Sequence, residues 1–457
     1  MRAWRTVYKK ELTLGLLSLV VSVLFAGGAL WFTQIKGLDM VRLTGDARGY
    51  QILATHLLEE SAFTFSTTTP FAPESFRAPG YPFSLSILYA LCRSWIAVLF
   101  VQTILVSIAP VLLYVLFKSY SERAAWWGAV IFVFEPTRLF FSASLLSDAF
   151  FTCLFLGSLV LLERGRMHKK SLLIVSSGVV LGVSVLVRPI AVFLPALYAG
   201  YVLIAPGMSA GVRFKKAVLL LCATAVIVFP WMLRNHEFFG SWGVSSVGAA
   251  NLMIYNAPAY LADYPDMKGE AVLTAFKAEQ DSLPRDEALS LSRAPVFTSN
   301  FREVIRGHEY TYLFFHVAKT VPFFLTDGLR EIARISGVPL VAPPNISSLI
   351  LSGNMKAIVT YIRTGALAVV LLVIGSGFWF MVTVLYFVGI VVELWTRRLR
   401  PLVLLGAVLV LYFALLTGPV SNARYRLPIS GVMILGAAAL VLNTKRNVPP
   451  ASTLNTI

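Results

Sequence analysis

Charged side chains in unusually apolar surroundings mark where this sequence could do chemistry. Within residues 124–162 the acidic side chains are Glu135 and Asp148, and the apolar stretch 171–204 is interrupted by the single charge of Arg188. An ionisable group in the bilayer core costs roughly 2.5–3.5 kcal/mol on insertion scales, so such a residue indicates a functional site by default. Arginines beside a carboxylate are typical of a site for an anionic ligand, because a guanidinium group offers paired donors that match phosphate.

The composition predicts that these residues belong to an integral membrane protein. Of 457 residues, 57% are hydrophobic and 14% charged, and the mean hydropathy is +0.75. Soluble domains usually carry about 25% charged residues. The net charge of +16 does not indicate a nucleic-acid partner, because the basic residues occupy short loops between apolar runs, as the positive-inside rule predicts. The three cysteines show neither metal-ligand spacing nor a disulfide framework.

The hydropathy pattern predicts about ten membrane-spanning helices. The N-terminal apolar run exceeds the usual length of a signal-peptide core, so we interpret it as the first span. The apolar piece at 81–92 is too short to cross a membrane and is expected to be an interfacial helix. The predicted spans are 12–33, 95–117, 124–142, 146–162, 171–187, 189–204, 217–233, 362–391, 401–418 and 428–443. With both termini inside, the inner loops are all basic: 118–123, 164–170, 213–216, 397–400 and 445–446.

This topology leaves two long segments on the outer side, 34–94 and 234–361. We therefore divide the chain into an N-terminal transmembrane module, 1–233, a large outer region, 234–361, and C-terminal transmembrane helices, 362–457. The apolar patch from Tyr310 to Phe324 within the outer region is expected to be interfacial or re-entrant. Taken alone, an arginine at the outer side is also explained as an anchor that reaches lipid phosphate, and Arg138 is assigned to that class. Glu135 precedes a proline and is interpreted equally well as a helix cap.

Short motifs at the predicted outer face occur in a fixed order along the chain. Asp46 is followed by Tyr50, Ala54 and Leu57 or Leu58 at helical spacing, which predicts a short helix headed by the aspartate. The later motifs are Arg77-Ala78-Pro79-Gly80-Tyr81-Pro82, Ser144-Leu145-Leu146-Ser147-Asp148, Leu186-Val187-Arg188-Pro189, Pro230-Trp231-Met232-Leu233-Arg234-Asn235 and Arg424-Tyr425-Arg426-Leu427-Pro428.

Together these motifs resemble the C-type glycosyltransferases. Within that class they look most like family 39, the bacterial relatives of protein O-mannosyltransferases and of the lipid A aminoarabinose transferase. The resemblance extends from residue 1 to about residue 443. It departs from the family pattern at Ala47, where many relatives carry a second acid beside the first. It departs again at Ala78, where relatives have a proline.

The resemblance implies an all-α integral membrane protein of the C type, whose outer loops carry interfacial helices. It implies an inverting hexosyl or pentosyl glycosyltransferase that moves a sugar from a polyprenyl-phosphate donor to a hydroxyl of a lipid, glycan or protein acceptor. The expected location is the bacterial inner (plasma) membrane, with the site on the periplasmic or extracellular side and no nucleic-acid partner.

The same resemblance assigns roles to residues of this chain. Asp46 would be the general base, and Asp148 would orient the acceptor or the sugar hydroxyls. The substrate-binding set would be Tyr50, Arg77, Tyr81, Arg188, Arg234, Asn235, Arg424 and Arg426. Arg77, Arg188, Arg234 and Arg426 are the expected phosphate ligands, at least two of which should share one outward-opening cavity with both acids. We expect no cofactor and no dedicated metal site, and a divalent cation between Asp46 and Asp148 stays open.

The main alternative is a flippase or transporter for an anionic polyprenyl lipid, which would also need outer arginines and intramembrane charge. Transporters often show paired repeats and broken midplane helices, and we find no convincing internal repeat. A scaffold without catalytic activity would need neither Asp46 nor Asp148.

Overall fold

The computed structural model describes residues 9–42, 44–204, 206–335, 356, 359, 366–396 and 400–443. Every regular element in these ranges is helical, which confirms the all-α class. The last part of the predicted outer region and the predicted inner basic residues 397–399 and 445–446 lie outside the described residues.

Between Lys9 and Phe239 the described residues form eleven α-helices. Short 3₁₀ turns at Met40–Arg42 and Pro189–Ala191 join some of them. The helices are α1 (Lys9–Ile35), α2 (Gly45–Glu59), α3 (Gly80–Cys92), α4 (Trp95–Val106), α5 (Ala109–Phe117), α6 (Glu122–Val133), α7 (Pro136–Ser142), α8 (Ser147–Met167), α9 (Ser171–Val187), α10 (Leu194–Ile204) and α11 (Ala210–Phe239).

Most short helices of the predicted outer region surround a small core of their own, whereas Phe323 belongs to the core of the bundle. Buried Met253, Tyr260, Phe297 and Phe301 form part of this core, and Phe76 from the first outer segment packs against it. Its helices are α12 (Val247–Asn251), continued by a π-helical turn at Leu252–Asn256, α13 (Ala257–Asp263), α14 (Met267–Ser282), α15 (Arg285–Ala288), α16 (Ala294–Val304), α17 (Glu309–Ala318), α18 (Val321–Leu325) and α19 (Leu329–Ile335).

Three long apolar helices complete the described chain: α20 (Ala366–Trp395), α21 (Pro401–Thr417) and α22 (Ala423–Asn443). Over the described residues, six helices are long and apolar enough to cross a membrane, or seven if α7 and α8 together make one bent span. The six are Lys9–Ile35, Trp95–Phe117, Ala210–Phe239, Val373–Trp395, Pro401–Val420 and Ala423–Leu442. Helices also occupy the other predicted spans. Ser171–Val187 and Pro189–Ile204 are shorter apolar helices, and α8 passes only as part of the bent pair, so the number ten stays a prediction.

Small residues allow helices α9 and α11 to approach closely. Gly178 and Gly182 lie one turn apart on α9 and face the α11 backbone. A Cβ atom at Gly178 would lie 2.5 Å from the Leu220 carbonyl oxygen, and one at Gly182 would lie 3.0 Å from the Thr224 carbonyl oxygen. The Thr224 hydroxyl also donates to the Gly178 carbonyl at 3.0 Å. Close backbone approach through small residues is the usual way in which helices associate within a membrane. This contact fixes the end of α9, where Arg188 follows.

The predicted span 124–142 is wrong as a single helix, because the chain breaks at Glu135. Pro136 cannot donate a backbone hydrogen bond, and the Glu135 carboxylate accepts from the Arg138 amide at 2.7 Å, so a new helix begins there. This α7 is bent by 110° from α8. Arg138 is buried and donates to Ser22 Oγ and the Val133 carbonyl oxygen, so its assignment as a lipid-facing anchor is also wrong.

The two ends of the bundle carry different charge clusters. At one end, Lys10 pairs with Glu122 at 2.7 Å and Lys118 with Glu11 at 2.5 Å, in segments predicted to lie inside. Glu163, near the C-terminal end of α8, accepts from Arg166 at the same end. Since an α-helix rises 1.5 Å per residue, Glu163 lies about 22 Å along α8 from Asp148. The acids predicted to form a site are therefore at the opposite end from these inner pairs.

Candidate active site

Asp46 lies in the first turn of α2 and contacts two arginines. Arg77 donates to Asp46 Oδ1 at 2.5 Å, and both terminal nitrogens of Arg424 lie 3.2 Å from Oδ2. Thr44 is the N-cap of α2, with its hydroxyl accepting from the Ala47 amide at 3.1 Å. Asp46 is therefore not the cap, and its carboxylate is directed to the arginines.

Asp148 occupies the first turn of α8 and is almost completely buried. Arg424 Nε donates to its two oxygens at 3.0 and 3.1 Å, and Arg188 forms a second ion pair with Oδ1. One guanidinium group therefore joins Asp46 to Asp148. Two hydrogen bonds and the width of a guanidinium group bring the two carboxylates within about 8 Å of each other. The Arg424 guanidinium group thus lies between the two acids, where the sequence analysis had kept a divalent cation as a possibility.

The members of this charged cluster, Asp46, Asp148, Arg77, Arg188 and Arg424, differ in their exposure. The side chain of Asp46 is 29% exposed and that of Arg424 is 26% exposed, whereas that of Asp148 is 1% exposed. Three guanidinium groups against two carboxylates leave one net positive charge. The arrangement can receive a singly charged anion from the Asp46 side, while Asp148 holds two of the arginines from behind.

The Asp46 carboxyl is held in its ionised form. Burial raises its pKa, but the charges of Arg77 and Arg424 and their hydrogen bonds lower it more, so the net pKa lies below the usual value of 3.8. The position of Asp46 in the first turn of α2 adds to this effect, because the positive end of the helix dipole favours an anion. Asp46 can therefore accept a proton at neutral pH.

The chain segments that carry Arg77 and Arg188 pack directly against each other. The backbone after Arg77 reaches α3, where a Cβ atom at Gly80 would lie 2.7 Å from the Leu186 carbonyl carbon and 2.9 Å from the Val187 amide nitrogen. Only glycine permits this approach, which explains the residue in the Arg-Ala-Pro-Gly motif. The contact fixes the segment of Arg77 against the end of α9, just before Arg188.

Tyr50 and Tyr81 lie behind the charged cluster. Their rings meet edge to face, with centroids 4.8 Å apart, and the Arg77 guanidinium lies 5.3 Å from the centre of the Tyr50 ring. The Tyr81 hydroxyl donates to Gln102 Oε1 at 2.7 Å, and the Gln102 amide donates to the Ser144 carbonyl at 2.8 Å. Tyr81 is thus tied to the segment that precedes Asp148.

Arg234 and Asn235 contact neither aspartate. Helix α11 continues through Pro230 to Phe239, so both residues lie on its last turns and not at the start of a loop. Arg234 donates to the Glu74 carbonyl at 2.8 Å and to Asn235 Oδ1 at 2.9 Å. The Asn235 amide donates to the Gly243 carbonyl at 2.8 Å. Both side chains therefore fix backbone of the outer segments, and their substrate-binding role stays a prediction.

Arg426 does not join the cluster, although the sequence ranked it among the phosphate ligands. It is fully buried, donates to the Phe323 and Thr326 carbonyl oxygens, and stacks 3.5 Å from the centre of the Trp379 ring. Residues two positions apart on a helix face different sides, so only one arginine of the Arg-Tyr-Arg motif can reach the acids. Arg424 does so, and the motif alone did not tell which.

The fold is that of known membrane glycosyltransferases. The archaeal oligosaccharyltransferase AglB from Archaeoglobus fulgidus, in complex with an inhibitory peptide and a dolichol-phosphate, matches with a TM-score of 0.54 at 14% identity, over 97% of this chain and 51% of that chain. The same organism's oligosaccharyltransferase tethered to an acceptor peptide matches with a TM-score of 0.52 at 14% identity, over 97% and 50% of the two chains. This chain thus spans about half the length of those structures. Its fold is that of the C-type glycosyltransferases, as the motifs predicted.

A family model narrows this resemblance. Residues 76–233 match the family described as dolichyl-phosphate-mannose-protein mannosyltransferase. No curated protein matches the chain. The match begins next to Arg77 and contains Asp148 and Arg188, so three members of the cluster lie within it. The predicted resemblance to relatives of the protein O-mannosyltransferases is confirmed.

Proposed function

We propose that this protein is an inverting glycosyltransferase that uses a polyprenyl-phosphate-linked sugar at the outer face of the membrane. The observation that carries the proposal is the joining of Asp46 and Asp148 by Arg424, with Arg77 and Arg188 on either side. A polyprenyl-phosphate sugar carries one negative charge on its phosphodiester, which matches the single net positive charge of the cluster. The similar archaeal oligosaccharyltransferase in complex with a dolichol-phosphate supports the same class of lipid.

The chemistry assigns one task to each kind of side chain. An acceptor hydroxyl attacks the anomeric carbon and a new C–O bond forms, while the bond from that carbon to the phosphate oxygen breaks and its electron pair stays on the phosphate. The hydroxyl proton passes to Asp46, which is ionised and partly exposed. Arginines already held in place stabilise the charge that develops on the phosphate. A single displacement inverts the anomeric configuration.

Asp148 acts differently in this proposal from Asp46. Its side chain is 1% exposed and both oxygens are engaged by Arg424, so it holds the arginines and does not touch the acceptor. A phosphate that binds Arg77 and Arg424 competes with Asp46 for the same donors. We therefore expect donor binding to raise the pKa of Asp46 from its depressed value, which makes it a stronger base when the substrate is present.

The outer face and the bacterial inner membrane are part of the proposal. The opposite positions of the cluster and of the inner ion pairs along α8 support the outer face, because the segments with the inner pairs are basic. Mannose is the first donor sugar to test, since residues 76–233 match the dolichyl-phosphate-mannose-protein mannosyltransferase family.

Proteoliposomes distinguish transfer from transport. Purified protein is reconstituted with polyprenyl-phosphate mannose labelled in the sugar, and the lipid-linked and released or transferred label are measured separately. The proposal expects loss of the sugar–phosphate bond, with protein-free vesicles as control. Movement of intact labelled lipid between leaflets, without loss of that bond for any of a panel of hexose and pentose donors, would contradict the proposal and favour a flippase.

A further inference from the structure

Glu74 is a buried carboxylate that the proposed chemistry does not use. It lies three residues before Arg77 and is 3% exposed. Its Oε1 atom accepts two successive backbone N–H groups, from Phe76 at 2.5 Å and from Arg77 at 3.1 Å. A carboxylate that accepts hydrogen bonds from adjacent amides fixes the orientation of both peptide planes. The backbone from which the Arg77 side chain extends to Asp46 is therefore held by Glu74.

The other oxygen of Glu74 is bound by the outer region. Arg285 Nη1 lies 3.2 Å from Glu74 Oε2, and the Arg285 guanidinium stacks 3.7 Å from the centre of the Phe65 ring. The Arg285 side chain is 46% exposed, whereas that of Glu74 is 3% exposed. The counter-ion of this buried acid thus comes from α15, more than two hundred residues further along the chain.

Neighbouring contacts tie the same short segment to the outer region. The Ser75 carbonyl accepts from the Ser246 amide at 3.0 Å, and the Ser75 hydroxyl accepts from the Leu291 amide at 2.8 Å. Phe76 packs against the separate core of the outer region. Segment 74–76 is therefore placed by the outer region and not by the transmembrane bundle alone.

We propose that Glu74 is a positioning residue for Arg77, and that Arg285 keeps Glu74 in place. The inference rests on the proposed function, in which Arg77 binds the donor phosphate. Glu74 touches no substrate, and its effect reaches the site through the Arg77 backbone. The large outer region thereby sets the position of one phosphate-binding arginine, which couples the part of the protein outside the bundle to the charged cluster.

A double-mutant cycle on lipid binding tests this inference. The probe is sugar-free polyprenyl phosphate in detergent, with the matching polyprenol as a control for the tail. Glu74→Ala should weaken phosphate-dependent binding about tenfold, the factor that corresponds to one hydrogen bond to a charged group. Glu74→Gln keeps an oxygen that can accept both N–H groups and should recover most of the affinity. In an Arg77→Ala background, where Arg188 and Arg424 still bind phosphate, Glu74→Ala should have no further effect.

A matched control removes a similar ion pair that does not touch segment 74–77. Arg293 and Glu279 pair at 2.7 Å within the same outer region, and Arg293→Ala should leave polyprenyl phosphate binding unchanged. If Glu74→Ala does not purify as a single species, Arg285→Ala is measured in the same cycle, because Arg285 forms an ion pair with Glu74. A Glu74→Ala or Arg285→Ala effect that persists in full in the Arg77→Ala background would overturn the inference. Wild-type protein that binds polyprenyl phosphate no better than polyprenol would instead overturn the proposed function.

Discussion

Arg424 makes more contacts with the acids than any other residue of the charged cluster, since its three nitrogens bind both carboxylates. A lysine has a single charged nitrogen and cannot reproduce that geometry. Donor turnover by Arg424→Lys should therefore fall at least tenfold, while the midpoint of thermal unfolding changes little, because Asp46 and Asp148 keep Arg77 and Arg188. Turnover of labelled donor and thermal unfolding in detergent are the two measurements.

Arg426→Lys provides the contrasting variant two residues away. Arg426 is fully buried and bound to carbonyl oxygens of the segment around α18. Its replacement should lower the midpoint of thermal unfolding, since leaving buried polar groups without partners costs about 1–3 kcal/mol. The opposite result, a stable Arg426 variant and an unstable Arg424 variant, would contradict the roles given to the two arginines.

Asp46 gives a pH dependence whose direction is fixed by its lowered pKa. The folded-state pKa lies below the unfolded value of about 3.8, so the stabilisation from its ion pairs is complete above that value. It is lost as the pH falls through the lower, folded-state pKa. The difference in unfolding midpoint between wild type and Asp46→Asn should stay constant from about pH 8 to 5 and shrink only below about pH 4. A difference that already declines between pH 7 and 5 would contradict the ion pairing of Asp46.

At the scale of elements, the contact of α9 with α11 determines where Arg188 is presented. A Cβ atom at Gly178 would lie 2.5 Å from the Leu220 carbonyl oxygen, so Gly178→Ala must separate the two helices. We expect a lower unfolding midpoint and, since α9 ends at Arg188, weaker donor turnover. Gly157→Ala on α8 is the matched control, because nothing lies within 4 Å of its added Cβ. That variant should be neutral or more stable by about 0.5–1 kcal/mol, the helix preference of alanine over glycine. Equal behaviour of the two variants would exclude the close contact.

The elements were only partly predictable from sequence, for identifiable physical reasons. Apolar runs located the long helices, but the run 124–142 concealed the break at Glu135, for which Pro136 was the available signal. Pro230, in contrast to Pro136, does not end its helix. Helix α11 continues through Pro230 to Phe239, and Gly240 with φ +66° ends it. Hydropathy responds to the environment of a segment, whereas a helix boundary depends on a few local hydrogen bonds.

Which residues form the site was easier to predict from the sequence than how they are arranged. The order of motifs and the alternation of spans placed Asp46, Arg77, Asp148 and Arg188 on one side, and these four residues lie in one cluster. The bridging role of Arg424 depends on the rotation of α22, which no motif specifies. Glu74 was missed because an acid in a long outer loop carries no distinguishing local pattern, and its burial arises only from contacts with distant segments.

For the molecule as a whole, we predict that both termini lie inside and that the region 234–361 lies outside. In a background without Cys92, Cys153 and Cys222, Asp281→Cys should react with a membrane-impermeant maleimide added to intact cells. Lys170→Cys, in a loop predicted to be inside, should react only after the membrane is opened. Labelling of Asp281→Cys only from the cytoplasmic side would contradict both the topology and the outer-face site.

The most direct test asks whether Asp46 accepts a proton during sugar transfer. It compares the turnover of polyprenyl-phosphate sugar by purified Asp46→Asn protein with that by wild type. Asparagine keeps the size of the side chain but cannot accept the proton, so transfer should fall by about 10²–10⁴-fold. Donor binding should not weaken, because the phosphate no longer competes with a carboxylate for Arg77 and Arg424. Thr44→Ala is the control for the start of α2, because Thr44 is the cap: it should cost about 1 kcal/mol of stability and leave transfer in place. An Asp46→Asn protein that is folded and as active as wild type would contradict the account.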